Sequence, residues 1–344
     1  MSATAERAEA QTTGTQRMTY REALRLALRE ELQRDERVFV MGEEVGVFEG
    51  SYKVTAGLLS EFGPERIRDT PISEEGFVGA AVGAAMGGER PVAEIMTINF
   101  LLVAMDQVIN HAAKVRTMFG GEVGCPMVIR TPNGGGNQLT AQHSQSLEAW
   151  FAATPGLKVV APANPADAKG LLKSAIRDDD PVLVVENLPI YKEKGEVPLD
   201  PEFVTPIGRA NVAREGSDLT IVSHSFATVR SLHVAEKLAS EHEVEAEVVD
   251  LRSLRPLDVE TVAASVAKTN RVMCVEEGWP SYGVTAELAA RIQKACFDDL
   301  DAPVERIGMA EVPLPYAKNL ELAALPGEDR IQAAALEVVG LAPR

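Results

Sequence analysis

Five short apolar runs punctuate the first half of the chain, at 38–41, 91–95, 126–130, 157–160 and 181–185. Each is long enough for a strand and too short for a helix. None alternates with polar residues, so each reads as a strand buried on both faces. Helical stretches at 76–87, 100–118, 146–152 and 165–177 lie between them. That alternation leaves one α/β arrangement open, a parallel sheet covered by helices on each side. Ahead of it, Thr19 is placed to cap a helix over 20–33, with Glu22 completing a capping box. From 186 to about 206 the pattern lapses into Pro, Lys, Glu and Asp, as a linker does. A smaller alternation follows, with strands at 219–223, 244–251 and 271–276 and helices near 227–240, 258–268 and 283–295. The expected organisation is a disordered tail over 1–16, an α/β domain over 17–190, a linker over 191–205, and a smaller α/β domain over 206–338.

The 344 residues suffice for two full cores. A net charge of −17 argues against nucleic acid and anionic membrane as partners, and permits a basic protein. Cys125, Cys274 and Cys296 form no metal-binding spacing, and three scattered thiols fit a reducing compartment. No run approaches the roughly 18 apolar residues of a membrane span, and residues 1–16 lack the hydrophobic segment of a signal peptide. The expected location is the cytoplasm.

Chemistry concentrates first at Arg68-Asp69-Thr70-Pro71-Ile72-Ser73-Glu74-Glu75-Gly76-Phe77. Here a carboxylate follows a proline-fixed turn and opens an apolar helix with glycines at 76, 79, 83 and 87. That spacing puts the glycines on one face, where another helix can approach closely. Each costs roughly 1 kcal/mol against Ala, so the stripe calls for a packing reason. Glu74 is either a helix-start acid held by the helix dipole or a buried carboxyl with a raised pKa, desolvated by Ile72, Phe77 and Val78. Among the five histidines, His233 and His242 read as surface residues and His111 as a packed or interface residue. His143 stands apart, because it follows the triple glycine 134–136 and precedes Ser144, a candidate cap for the next helix. It is either solvated on a flexible loop or a catalytic group on a rigid scaffold. There is no Walker A loop, GxGxxG opening or GxSxG elbow, and the triple glycine leads into no immediate helix, which makes it a poor phosphate cradle.

The motifs DTPISEEGF (69–77), EIMTINF (94–100), DQVINHAAK (106–114), AQHSQS (141–146), PGLKVVAP (155–162), LRPLD (254–258), EEGWP (276–280) and VPLPYAK (312–318), with Glu43-Glu44, fall in one order. Together they resemble the β subunits of the pyruvate dehydrogenase first component, within the thiamine diphosphate-dependent 2-oxoacid dehydrogenases. The resemblance covers about residues 17–338. It implies a transketolase-like pyrimidine-binding domain followed by a transketolase C-terminal-type domain.

The resemblance further implies that Glu74 hydrogen-bonds the aminopyrimidine of thiamine diphosphate and that Met96 and Phe100 pack against it. His143 would donate a proton as the lipoyl disulfide is reduced and acetylated, and Glu43 would be a buried acid between two active sites. A structural K+ would be bound mainly through backbone oxygens at Met127, Ala175, Ile176, Asp178 and Asp180. The family's Gly-Asp-Gly…Asn motif for Mg2+ and diphosphate is missing. That half of the site is therefore expected from a separate α subunit in an α2β2 assembly, with the glycine stripe as a subunit-packing face. Asp298, Asp299 and Asp301 would suit a basic domain of the lipoyl-bearing acetyltransferase. Pyruvate is the expected substrate. A branched-chain 2-oxoacid or acetoin enzyme is the nearer alternative, and a non-catalytic scaffold the more distant one. Glu75 departs from the uncharged residue that many relatives carry.

Overall fold

The computed structural model describes residues 14–341. A seven-stranded sheet is built from β2 (Val38–Gly42), β3 (Ile67–Asp69), β4 (Arg90–Glu94), β5 (Val128–Asn133), β6 (Lys158–Val160), β7 (Val182–Asn187) and β12 (Ser253–Arg255), in the order β12-β6-β7-β5-β4-β2-β3. All pairs are parallel except β12 with β6. Successive residues of each strand point to opposite faces, and the two faces carry separate cores. Phe39, Met41, Ala93, Ile95, Ile129 and Leu183 pack on one side. Val38, Val40, Val92, Val128, Val182 and Val184 pack on the other. Burial on both sides explains the unbroken apolar runs.

A second sheet of five strands takes β9 (Asn211–Arg214), β10 (Leu219–Ser223), β11 (Ala246–Asp250), β13 (Val272–Val275) and β14 (Glu305–Ile307), in the order β14-β13-β10-β11-β9. The first of the cores above continues through Val222, Val249, Leu254 and Cys274 of this second unit. With β12 paired to β6, the two units share both a strand and a core.

Several expectations are corrected here. Thr15 and Gln16, placed in the disordered tail, belong to β1 (Thr15–Thr19), which pairs antiparallel with β8 (Lys194–Pro198) inside the expected linker; residues 1–13 lie outside the described residues. Backbone pairing holds this ribbon where its side chains give no pattern. The single helix expected over 100–118 is instead three pieces, Ile98–Leu101, Gln107–Ala112 and Val115–Met118. The middle piece is wound wide, with Ala113 N–H reaching back five residues to Val108 O at 3.0 Å. The Asn110 amide donates to Asp106 Oδ1 at 2.7 Å on the exposed side of this piece. The helix Tyr20–Arg34 has its capping box, with Thr19 and Glu22 bonded reciprocally.

Under the sheet's central strands lies a buried ionic cluster. Arg130 on β5 donates to Glu186 through Nε at 2.8 Å and Nη2 at 2.6 Å, and also to Glu94 on β4. Tyr191 donates to the same Glu186. One guanidinium thus offsets two buried carboxylates, which a neutral residue there could not do.

Candidate active site

The carboxyl ends of parallel strands are where open α/β sheets place their ligand crevices, and the candidate residues gather there. Glu43 follows β2, Met96 and Phe100 follow β4, and His143 lies on the loop after β5. Glu74 opens the helix Glu74–Met86 after β3. The strands β3, β2, β4 and β5 are consecutive neighbours, so one sheet edge carries all five side chains.

Glu43 and Glu74 are both buried and touch. Burial first, and then the charge and hydrogen bond of Glu74, push the Glu43 carboxyl up to about 7. Glu43 Oε1 is buried without a hydrogen-bond partner, an acceptor free for a ligand or for the proton the pair shares. Phe77 and Val78 supply apolar cover, but Ile72 is 83% exposed and desolvates nothing within this chain.

Ile72 belongs to an open rim. Gly46 and Val47 N–H donate to the Asp69 carboxylate at 2.6 and 2.9 Å, holding the loop that carries exposed Val47 and Phe48 against the turn that carries Ile72. The glycine stripe is open as well. A side chain at Gly79 would meet Gln107 of the same chain, whereas one at Gly83 would meet nothing within 4 Å. Four surface concavities are lined by none of Glu43, Glu74, Met96, Phe100 and His143. The largest, about 850 Å³, lies between residues 149–153, 254–257 and 282–291.

Met96 and Phe100 are half-buried, and the Phe100 ring meets His143 edge-on with centroids 5.1 Å apart. His143 itself is exposed at the end of a short turn, Ala141–His143. Ser144 does not cap the next helix, which begins at Glu148 behind Leu147; its hydroxyl is buried and unpartnered. Thr97 donates to Asn99 Oδ1 at 3.0 Å, and Asn99 Nδ2 to Gln145 Oε1 at 2.6 Å, tying the Phe100 segment to the His143 loop.

The loop that carries the triple glycine is bonded to a carboxylate of the second domain. Gly136 N–H donates to Glu321 Oε1 at 2.9 Å, and Gln138 N–H to both Glu321 oxygens at 3.1 Å. Gln138 and Thr140 sit at φ 56° and 60°, conformations costing about 1–3 kcal/mol each that persist only where surroundings enforce them. Below this loop, Asn133 Nδ2 donates to Glu148 Oε2 at 2.8 Å, and His224 Nε2 meets Glu148 Oε1 at 3.0 Å. Asn187 bonds Asn133 at 3.0 Å and also Glu277. Burial pulls the His224 pKa down, but Glu148 outweighs it and the net shift is upward. This network braces the joint between the two units directly beneath Gly134.

The proposed cation ligands stand apart, at the amino ends of β5 and β7. Ile176 O and Asp178 O both accept from Arg90 Nη1, at 3.0 and 2.9 Å. Met127 O accepts from Val182 N–H and Ala175 O from Asp178 N–H. Lys158 and Arg116 pair with the Asp178 and Asp180 carboxylates. Each of these four carbonyls keeps a second lone pair. Among the described residues no group of three or more His, Cys, Asp or Glu side chains stands ready to hold a metal, and no helix is long and apolar enough to cross a membrane.

Sequence reasoning missed Glu321, Asn99, Glu148 and His224. Only His224 had a local signal, as part of a polar Ser-His-Ser run closing an apolar strand.

Residues 16–193 match the transketolase pyrimidine-binding domain, and residues 208–331 the transketolase C-terminal domain. The chain is 53% identical to the mitochondrial pyruvate dehydrogenase E1 component subunit beta-1 of Arabidopsis thaliana, over 93% of this chain and 89% of that one. It is 51% identical to the E1 subunit beta of Rhizobium meliloti, over 90% and 67%, and 50% identical to that of Rickettsia felis, over 91% and 96%. A solved split-gene transketolase, described as an inactive beta4 tetramer, superposes with TM-score 0.75 at 24% identity, over 95% of this chain and 99% of that one. That likeness speaks for the fold.

Proposed function

The chain belongs to the family of pyruvate dehydrogenase E1 component β subunits, and we propose that it forms the pyrimidine half of a thiamine diphosphate site completed by an α subunit. The reaction is the oxidative decarboxylation of pyruvate with transfer of the acetyl group to a lipoyl disulfide. One observation carries the half-site reading: the Glu43–Glu74 pair is buried and has an orphaned acceptor, yet it lies on an open rim of Val47, Phe48 and Ile72. Paired buried acids fit an aminopyrimidine, whose ring nitrogen and amino group need one proton placed and one accepted.

Bound thiamine diphosphate supplies the electron sink that lets pyruvate lose carbon dioxide. Glu74 would hold a proton against the pyrimidine ring nitrogen, while Glu43 behind it keeps the charge of the pair low. Met96 and Phe100 would cover the ring and exclude water. His143, exposed at the mouth and steadied by Phe100, would give a proton to the sulfur that leaves as a thiolate when the lipoyl disulfide opens. Mg2+ and the diphosphate would be held by the α subunit. K+ would use the second lone pairs of the Met127, Ala175, Ile176 and Asp178 carbonyls, with the Asp180 carbonyl alongside. The acidic run Asp298, Asp299 and Asp301 offers a basic domain of the acetyltransferase a landing place. Three buried free thiols support a cytoplasmic setting.

The test is co-expression with an α subunit and thiamine-dependent reduction of an artificial acceptor, comparing pyruvate, 2-oxoisovalerate and acetoin. Pyruvate should turn over fastest, and the isolated β chain should not turn over. Preference for 2-oxoisovalerate, or turnover by the β chain alone, contradicts the reading.

A further inference from the structure

We propose that Glu321 is a positioning residue for the lipoyl-acetylation step, fixing the His143 loop from the second domain. The inference rests on the role given to His143 above. Glu321 is completely buried, and no Lys, Arg or His side chain pairs with it among the described residues. Its hydrogen bonds run to the backbone of the loop 134–140, from Gly136 N–H and Gln138 N–H. A buried carboxylate without a cation is expensive unless its donors are well placed, so the loop and the acid stabilise each other. Gln138 takes its left-handed conformation at the residue whose N–H both Glu321 oxygens accept.

Contacts on either side of this pin limit what the loop can do. Gly135 packs so close to Leu314 and Leu325 that an added methyl would stand 2.6 Å from Leu314 Cδ1. Leu314 and Leu325 form a small core with Met309 and Ala324 on the segment that carries Glu321. At the far end, Asn99 holds Gln145. His143 lies between these two fixed points, and its ring meets Phe100. Decarboxylation needs Glu74, which opens the helix after β3 and makes none of the contacts that hold the loop, whereas proton donation to the lipoyl sulfur needs the loop. Freeing the loop should therefore separate the two reactions.

The experiment uses the α2β2 enzyme with the isolated lipoyl domain, comparing wild type, Glu321→Ala, Glu321→Gln and His143→Ala. Two rates are read, artificial-acceptor turnover and lipoyl acetylation with its kcat and KM. Glu321→Ala should lower the kcat of acetylation about tenfold or more, since displacements near 1 Å cost that much or more. Acceptor turnover should stay within about twofold. Glu321→Gln should recover most of the loss, because a single Oε1 can accept from both Gly136 and Gln138. Should the alanine variant fail to assemble, Glu321→Asp retracts the carboxylate by one methylene, keeps the charge, and should show the same split. Equal losses in both reactions, or unchanged acetylation, overturn the proposal. Unchanged acetylation in His143→Ala would place the fault in the reading of His143 rather than of Glu321.

Discussion

Glu74→Gln removes one charge from the acid pair and leaves its shape. In the wild-type chain burial and Glu74 together hold Glu43 at about 7, against an ordinary 4.5. At about 1.4 kcal/mol per pH unit, ionised Glu43 is disfavoured by about 3 kcal/mol, or about 2 kcal/mol once solvent screening is discounted. Burial is the larger cause and survives the substitution, while the repulsion does not. The Glu43 midpoint should therefore fall in the variant, yet stay above 4.5. The sign for stability follows from proton binding, since a raised carboxyl holds its proton more tightly in the folded chain. Below about pH 4.5 the pair costs nothing. Its cost grows as pH rises toward 7 and is complete above it. The variant should thus gain thermal stability over wild type above about pH 7, and the gain should vanish toward pH 4.5. Isotope-edited infrared titration of the glutamate carboxyl band in the cofactor-free assembly measures the midpoint, and thermal unfolding at each pH measures the linkage. A wild-type band titrating near 4.5, or a midpoint unmoved by Glu74→Gln, would refute the reasoning.

Three further outcomes are expected. Arg130→Met strands Glu94 and Glu186 without a partner and should cost about 3–5 kcal/mol, seen as a midpoint lower by about 10 °C. Burial raises the Glu94 pKa, so that deficit should shrink as pH falls; a variant as stable as wild type at neutral pH contradicts the triad's role. Gly83→Leu adds a side chain where this chain has only open space. The β fold should keep its circular dichroism while assembly with the α subunit, read by sedimentation, weakens by about tenfold or more, or about 1.4 kcal/mol; unimpaired assembly means that no partner covers the stripe. Replacing potassium chloride with choline chloride should lower the thermal midpoint of the assembly by a few degrees, roughly 1 kcal/mol, and an unchanged midpoint would remove the cation from the account.

The sequence made legible those elements whose burial is symmetrical. Strands β2, β4, β5 and β7 are buried on both faces, and their apolar runs say so without help from the rest of the chain. Helix Pro165–Arg177 coincides with the stretch expected at 165–177, and Asn164 caps its start. The ribbon of β1 and β8 was illegible because its side chains are largely polar and exposed; backbone pairing and the one buried pair Met18 and Val197 hold it. Strands β3, β12 and β14 have three residues each, too few to carry a period, and only the neighbouring strand decides that they pair.

The candidate site divides in the same way. Glu74 and His143 stood out through the motifs around them, and their placement on one sheet edge follows from the strand order. Glu321 did not, because an acid between Leu320 and Leu322 on a short helix reads as solvated. Its burial is a property of the loop folded over it from about 180 residues away in sequence. The raised pKa of Glu43 was also a tertiary matter, since burial and the approach of Glu74 from another element cause it.

The central claim is that this chain brings the proton-handling acid to a thiamine diphosphate site it only half builds. The most direct test is thiamine-dependent pyruvate decarboxylation by the α2β2 enzyme carrying Glu74→Ala, with tetramer formation verified by sedimentation. The account predicts an intact tetramer whose turnover falls at least about a hundredfold, the scale of a lost general acid–base group. An intact tetramer with full turnover would reduce Glu74 to an acid that merely starts a helix, and would contradict the account.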